Sequence, residues 1–218
     1  MFLPVAALTQ PLPQRPPEWQ ADWYRINWEA EKIEKGIVTD TIFVHYTAWE
    51  PGATWQRLSD EQKKSLYEAR YRIADKDPFV QGQPPHSSHY RFVDGKLVEI
   101  FYAYHWLVRE NGKVERLLDD REVGWHAGGP KGWEWNMRSV AIVLDGDYSK
   151  KPPPKKMLKA VAKLIQQYVK QYPTITRLKA HYDVRKTECP GPWYREKDKH
   201  GRTGRDRLLK MAKVSLSE

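Results

Sequence analysis

Cysteine is nearly absent from this 218-residue sequence, because Cys189 is the only one. A single cysteine excludes an internal disulfide framework and leaves three uses for the thiol: a buried core residue, a nucleophile or a metal ligand. Long apolar runs are also missing, since no segment approaches the roughly 18 apolar residues that span a bilayer. The N-terminal MFLPVAAL is apolar but lacks the basic region of a signal peptide. We therefore expect neither disulfides nor a transmembrane segment.

Acidic residues are in the minority. The sequence has 37 Lys and Arg against 28 Asp and Glu, which gives a formal net charge of +9. This balance favours an anionic partner, such as nucleic acid, phospholipid or an acidic cell-wall polymer. Because no nucleic-acid motif accompanies the basic residues, we expect no specific nucleic-acid binding. The lysine run KKPPPKK indicates either a solvated surface or an electrostatic attachment to anionic cell-wall polymers.

The length suits one domain with terminal additions. Residues 1–17 contain five of the 16 prolines, which is typical of an extended arm. Apolar residues spaced three to four apart predict a helix over residues 18–36. We assign residues 37–212 to the main domain, with an insertion around 55–100, and we expect the chain to be a monomer.

Several segments of the main domain predict strands. TDTIFVHYT and the SVAIVL that begins at Ser139 are apolar enough for buried strands. Asp94-Gly95 and Asn111-Gly112 are turn pairs between strand-like segments, so they predict two hairpins. RLKAHYDV predicts a last short strand or strand end.

Helices alternate with these strands. A capping box that begins at Ser59 predicts a helix over residues 60–73. Apolar residues from Leu158 to Tyr172 form one stripe opposite lysines and glutamines, which predicts an amphipathic helix. GRDRLLKMAKVS predicts a terminal helix, whereas GWEWN is typical of a loop. Together the pattern predicts an α/β fold: a single domain with a mixed central β-sheet flanked by helices.

Two segments could carry chemistry. His45 ends the strand TIFVHY, and AHYDVRKTECPGP places His181 eight residues before Cys189. All three residues fall at strand ends or on irregular backbone, where a rigid sheet can present ligands. Two imidazoles and one thiolate would give Zn²⁺ three protein ligands and leave a fourth position for water. On spacing alone, a metal site and a set of satisfied polar residues around a buried thiol are equally compatible with the sequence.

Five segments, taken in order, favour the metal site over the set of satisfied polar residues. FVHYTA, YHWLVRENGKV, GWHAG, NMRSVAIVLDG and AHYDVRKTECPG resemble the successive signatures of the type 2 N-acetylmuramoyl-L-alanine amidases. This zinc-dependent family includes the peptidoglycan recognition proteins and the amidase-type phage lysozymes. The resemblance covers about residues 37–194. It implies a mixed central sheet flanked by helices, one zinc ion in a cleft, and hydrolysis of the amide between N-acetylmuramic acid and L-alanine in peptidoglycan.

The resemblance also implies roles for individual residues. It makes His45, His181 and Cys189 the ligands of one zinc ion per chain. It makes Tyr104, eight residues before a turn glycine, the catalytic tyrosine, and Thr187, two residues before the cysteine, a second catalytic position. A phenol keeps its proton at neutral pH, so a tyrosine suits the role of a hydrogen-bond donor to an oxyanion better than that of a base.

The remaining site positions rest on weaker signals. His126 and Asn136 fall where the family lines its substrate cleft. Trp133 could stack on a sugar or on the stem peptide, although packing within its own loop is as compatible with the sequence. Tyr90 also precedes a glycine and imitates the tyrosine motif. We prefer Tyr104, because its segment leads directly into WHAG.

Other functions remain open at this point. Some peptidoglycan recognition proteins lack the ligating cysteine and bind wall fragments without cutting them, so the presence of Cys189 favours an enzyme. A cysteine hydrolase would use Cys189 as nucleophile and His181 or His45 as base. As an amidase, the chain would act on the cell wall, on the periplasmic or extracellular side. It would be either a phage endolysin made in the host cytoplasm or a bacterial remodelling or recycling enzyme.

Overall fold

The computed structural model describes residues 36–48, 89–93, 96–100, 103–118, 120, 123–124, 126–128 and 131–218. The predicted arm 1–17, nearly all of the helix 18–36, and the predicted helix 60–73 lie outside the described residues, and the domain boundaries stay predictions. In chain order the elements are β1 (Thr41–Tyr46), β2 (His89–Val93), β3 (Lys96–Ile100), β4 (Trp106–Val108), β5 (Val114–Arg116), α1 (Gly132–Met137), β6 (Ser139–Leu144), α2 (Lys155–Gln171), β7 (Arg177–Ala180) and α3 (Gly204–Ala212).

The main sheet of the described residues has five strands in the order β5-β4-β6-β1-β7. Strand β1 is parallel to β6 on one side and to β7 on the other, and β4 is parallel to β6. The edge strand β5 pairs antiparallel with β4 through a turn in which Gly112 has a φ of +86°. The mixed sheet and this hairpin are therefore confirmed.

The second predicted hairpin is separate from the main sheet. Strands β2 and β3 pair antiparallel, with His89 opposite Ile100 and Val93 opposite Lys96. They form a two-stranded sheet of their own. This hairpin belongs to the sequence segment that we interpret as an insertion.

Helices α2 and α3 cover one face of the main sheet. Ile42 and Val44 of β1 pack in one hydrophobic core with Val161 and Ile165 of α2 and Leu208 of α3. The amphipathic stripe predicted for α2 is confirmed, since its buried residues recur every three to four positions. No helix of the described ranges is both long and apolar enough to cross a bilayer.

The opposite face of the sheet carries Phe43 and His45 of β1. Side chains alternate along a strand, so Phe43 and His45 point away from α2. The Phe43 ring lies 5.1 Å from the ring of His126 and 5.9 Å from that of Trp135. Trp135 belongs to α1, so the prediction that GWEWN is a loop was wrong. This helix has only six residues and no side-chain hydrogen bond at its N-cap, Lys131, and therefore gives little sequence signal.

One carboxylate joins the amino ends of three adjacent parallel strands, β6, β1 and β7. Asp40, immediately before β1, accepts hydrogen bonds from Arg138, which precedes β6, and from Arg177 at the start of β7. The Thr41 hydroxyl donates to the same carboxylate at 2.7 Å. Burial raises the pKa of Asp40, but the bonds from Arg138 and Thr41 outweigh it and the net pKa is lowered. Asp40 is therefore an ionised group that fixes the relative position of the three strands.

Candidate metal centre

The sheet brings the two predicted metal histidines together. His45 is the fifth residue of β1, and His181 follows the last residue of β7. Because β1 and β7 are parallel neighbours, their carboxyl ends meet at the same edge, where open α/β sheets place their ligands. The two imidazole centroids are 4.8 Å apart.

Cys189 completes a group of three candidate ligands. Its Sγ lies 3.6 Å from His45 Nδ1. One ligand atom from each of His45, His181 and Cys189 can be chosen so that all three atoms lie within 4.8 Å of one another. Tetrahedral zinc with bonds of ~2.3 Å to sulfur and ~2.0–2.1 Å to nitrogen places those two atoms about 3.6 Å apart. The observed separation therefore fits a shared zinc ion.

Local backbone contacts hold the thiol in this position. The Cys189 N–H donates to Thr187 Oγ1 at 3.3 Å, and the Tyr46 N–H donates to Cys189 Sγ at 3.3 Å. Two residues later, Gly191 has a φ of +106°, and an added Cβ would lie 2.2 Å from the carbonyl oxygen of Tyr148. Only glycine fits this close approach of two chain segments. The ECPG turn is thus shaped by backbone constraints.

Both candidate metal histidines are neutral at pH 7, because their pKa values are lowered. Burial lowers the pKa of His45 well below its ordinary value, and the neighbouring His181 and His126 lower it further. Burial also lowers the pKa of His181 to about 4, despite the Ala127 carbonyl, which acts in the opposite direction. Neutral imidazole is the form that binds a metal, so neither ring has to lose a proton first.

In each candidate ligand histidine, one ring nitrogen has a hydrogen-bond partner in the protein, and the other is the atom that would face a metal ion. His45 Nε2 lies 3.0 Å from His126 Nδ1, which leaves His45 Nδ1 toward the thiol. His181 Nε2 donates to the carbonyl oxygen of Ala127 at 2.8 Å, which leaves its Nδ1 to bind a metal ion. Metal-binding histidines in general give their second nitrogen to a carbonyl or a similar partner. The donor set of the described residues therefore fits zinc in chemistry as well as in distance.

The predicted catalytic residues lie near these donors. The half-buried Tyr104 has its ring centroid 5.1 Å from that of His45. Thr187 is half-buried and contacts Cys189 as described above. Tyr90 is a residue of β2, of which the structure describes only the backbone. The geometry therefore brings Tyr104 and Thr187 together with the metal donors.

The three predicted cleft residues differ in exposure. Trp133 is 41% exposed on α1, whereas His126 and Asn136 are only 4% and 2% exposed. Both ring nitrogens of His126 have partners, since Nε2 lies 2.9 Å from Ser139 Oγ. Contact of these three residues with substrate stays a prediction. His126 and Asn136 also form hydrogen bonds within the protein. Sequence reasoning missed Ser139, although a serine that opens an otherwise apolar buried strand was a usable signal.

Comparisons with known proteins agree with the predicted family and fold. A family model described as N-acetylmuramoyl-L-alanine amidase matches residues 35–192. Among solved structures, the chain is similar to the N-acetylmuramoyl-L-alanine amidase LysC from Clostridium intestinale, with 20% identity, 82% of this chain and 88% of that chain covered, and a TM-score of 0.50.

Two endolysins are also similar. The endolysin amidase LysCS from Clostridium intestinale has 19% identity, 82% and 86% coverage and a TM-score of 0.51. The Ph2119 endolysin from Thermus scotoductus bacteriophage Ph2119 has 21% identity, 81% and 86% coverage and a TM-score of 0.51. At these identities the likeness shows the fold. No protein of the curated set matches the chain.

Proposed function

The chain belongs to the N-acetylmuramoyl-L-alanine amidase family, and we propose that it is a zinc-dependent enzyme that cleaves peptidoglycan. The bond cleaved is the amide between the lactyl group of N-acetylmuramic acid and L-alanine of the stem peptide. The observation that carries the proposal is the convergence of His45, His181 and Cys189 at the carboxyl edge of the sheet, with ligand atoms within 4.8 Å. Two neutral imidazoles and one thiolate leave a bound zinc ion with one unit of net positive charge.

Zinc in such a site supplies a Lewis acid for a carbonyl group and lowers the pKa of water toward ~7. In the overall reaction, the oxygen of water bonds to the lactyl carbonyl carbon and the carbon–nitrogen bond breaks. The leaving alanine nitrogen takes a proton that originates from the water. The residues of the chain therefore have to hold the metal, orient the carbonyl and stabilise the charge on its oxygen.

Tyr104 is the proposed donor to that oxygen. Its ring lies 5.1 Å from the ring of His45, close to the metal donors. A phenol is a proton donor at neutral pH, and removal of one oxyanion donor typically lowers kcat by ~10²–10³. The proximity of Tyr104 to His45 supports the preference for Tyr104.

Thr187 is the proposed second donor. Its Oγ1 already accepts the Cys189 N–H at 3.3 Å, so its own hydroxyl proton is free to point to another acceptor. Trp133, exposed on α1, offers a flat apolar surface on which a sugar ring or the stem peptide can stack. Two solved endolysins of similar fold support a lytic role for the chain, as in a phage endolysin.

The test is release of new L-alanine amino termini from purified peptidoglycan. Untreated, chelated and zinc-restored protein are compared side by side. Release that disappears with chelator and returns with zinc is expected. Bound zinc without release from intact or digested wall would instead indicate a recognition protein that binds wall fragments.

Alkylation of the thiol separates the metalloenzyme from a cysteine hydrolase. A zinc-bound thiolate at Cys189 is protected from iodoacetamide until the metal is stripped. Equal loss of activity with and without zinc would make Cys189 a nucleophile and contradict the proposed mechanism.

A further inference from the structure

A buried hydrogen-bond chain leads away from His45. His45 Nε2 lies 3.0 Å from His126 Nδ1, His126 Nε2 lies 2.9 Å from Ser139 Oγ, and Ser139 Oγ donates to the Trp135 carbonyl at 2.5 Å. His45 is fully buried, and His126 and Ser139 are 4% and 2% exposed. Water therefore has little access to these partners.

The Trp135 carbonyl oxygen, the last acceptor, determines which atom donates in each of these hydrogen bonds. A carbonyl oxygen can only accept, so the Ser139 hydroxyl donates to it and accepts from His126 Nε2–H. His126 Nδ1 then has no proton and accepts from His45 Nε2–H. His45 Nδ1, the atom 3.6 Å from Cys189 Sγ, is therefore unprotonated and has a free lone pair.

Ala127, the residue after His126, determines the tautomer of His181. His181 Nε2–H donates to the Ala127 carbonyl at 2.8 Å, which leaves His181 Nδ1 unprotonated as well. His126 and Ala127 are in turn held by one atom. Asn136 Oδ1 accepts the backbone N–H of His126 at 3.1 Å and that of Ala127 at 2.9 Å.

We propose that His126, Ser139 and Asn136 are positioning residues that set the tautomer and the ring orientation of both metal histidines. One buried amide oxygen on α1 holds the two acceptors that face His45 and His181, so both metal ligands depend on it. Loss of a partner behind a metal ligand typically lowers metal affinity 10–100-fold. The inference rests on the proposed metal site and is independent of the proposed reaction.

Two substitutions at His126 separate hydrogen bonding from packing. His126→Asn keeps an acceptor near the position of Nδ1 but loses volume, whereas His126→Phe keeps a ring and loses the acceptor. If the acceptor matters, zinc affinity measured by chelator competition falls 10–100-fold in His126→Phe and less in His126→Asn. If His126 only fills space, the order is reversed and the inference is wrong.

The distal residue and a matched control extend the test. Ser139→Ala is expected to weaken zinc binding, and Ser139→Thr, which retains the hydroxyl, is expected to restore it at least in part. His105 is another fully buried histidine. Its Nδ1 accepts the Ala141 N–H, a bond that is not one of the hydrogen bonds that lead from His45 to Trp135. His105→Phe is expected to change the free energy of unfolding without a comparable change in zinc affinity.

A spectroscopic measurement reports the tautomers directly. Long-range ¹H–¹⁵N NMR spectra of the zinc-loaded protein should show His45, His126 and His181 all protonated on Nε2. An Nδ1–H tautomer at His126 would overturn the inference even if zinc binds. Absence of zinc binding by the unaltered chain would overturn the metal site, and this inference with it. Zinc binding without peptidoglycan cleavage would contradict only the proposed reaction.

Discussion

Acid should destabilise the zinc-free protein through its buried histidines. We compare the protein at pH 7 and at pH 5 in the presence of chelator. Burial lowers the pKa of His181 to about 4, from an ordinary value of 6.5. Burial lowers the pKa of His45 and His126 in the same direction.

The sign follows from proton uptake. Between pH 6.5 and about 4 the unfolded chain binds a proton at His181 that the folded chain does not bind, so the free energy of unfolding falls as the pH falls through this window. Above pH 6.5 His181 is neutral in both the folded and the unfolded chain, so its protonation does not lower the free energy of unfolding there. At ~1.4 kcal/mol per pKa unit, His181 alone should lower the free energy of unfolding by about 2 kcal/mol between pH 7 and pH 5. His45 and His126 add to this loss.

Urea unfolding followed by tryptophan fluorescence measures the effect, with pH as the only variable. The pKa of Asp40 is lowered from 3.8, so its ionisation contributes little above pH 5. His181→Asn removes the titrating ring and should reduce the loss by about 2 kcal/mol. Equal unfolding free energies at pH 7 and pH 5 in the unaltered chain would refute the assignment of these histidines as buried and neutral.

Three further predictions concern the metal, the chemistry and the core. Tyr104→Phe should bind zinc and fold normally but lose ~10²–10³ in kcat, measured by release of L-alanine amino termini; unchanged turnover would remove Tyr104 from the mechanism. Zinc binding at pH 7 should release between about one and two protons, one from the Cys189 thiol and a fraction from the zinc-bound water, but none from His45 or His181, because both histidines are already neutral; calorimetry in buffers of different ionisation enthalpy counts the protons. Ile165→Ala, at a fully buried position of α2, should cost ~2–5 kcal/mol in urea unfolding and leave zinc affinity unchanged, and a large loss of affinity would contradict the separation of core and site.

Much of the fold could be predicted because its signals are local. The apolar runs of β1 and β6 lie in the middle of the sheet, where both faces are covered, and the stripe of α2 faces the core. Helix α1 was missed because six residues without a side-chain cap resemble a loop in sequence. Its contribution comes from tertiary contacts, such as that between Phe43 and Trp135.

The sequence could suggest the three candidate metal donors, but not which residues support them. His45, His181 and Cys189 stand at strand ends and within segments that resemble known family signatures. The contact of His45 with His126 joins residues 81 positions apart, and no local pattern encodes it. Sequence reasoning could mark His126 and Asn136 as site residues, but only the three-dimensional structure reveals that they are buried behind the metal ligands.

The carboxylate of Asp40 has a mechanical consequence for the distant metal centre. It joins the amino ends of β1, β6 and β7, whereas the metal donors lie at the carboxyl ends. His45 lies five positions after Asp40, which gives a lever of ~16 Å at ~3.3 Å per residue. Metal–ligand distances tolerate an error of about 0.2 Å, so a relative tilt of less than ~1° between β1 and β7 would use up that tolerance. Precision at the candidate metal centre therefore depends on the angular stiffness of the sheet, to which Asp40 contributes together with the backbone pairing of β1 and β7.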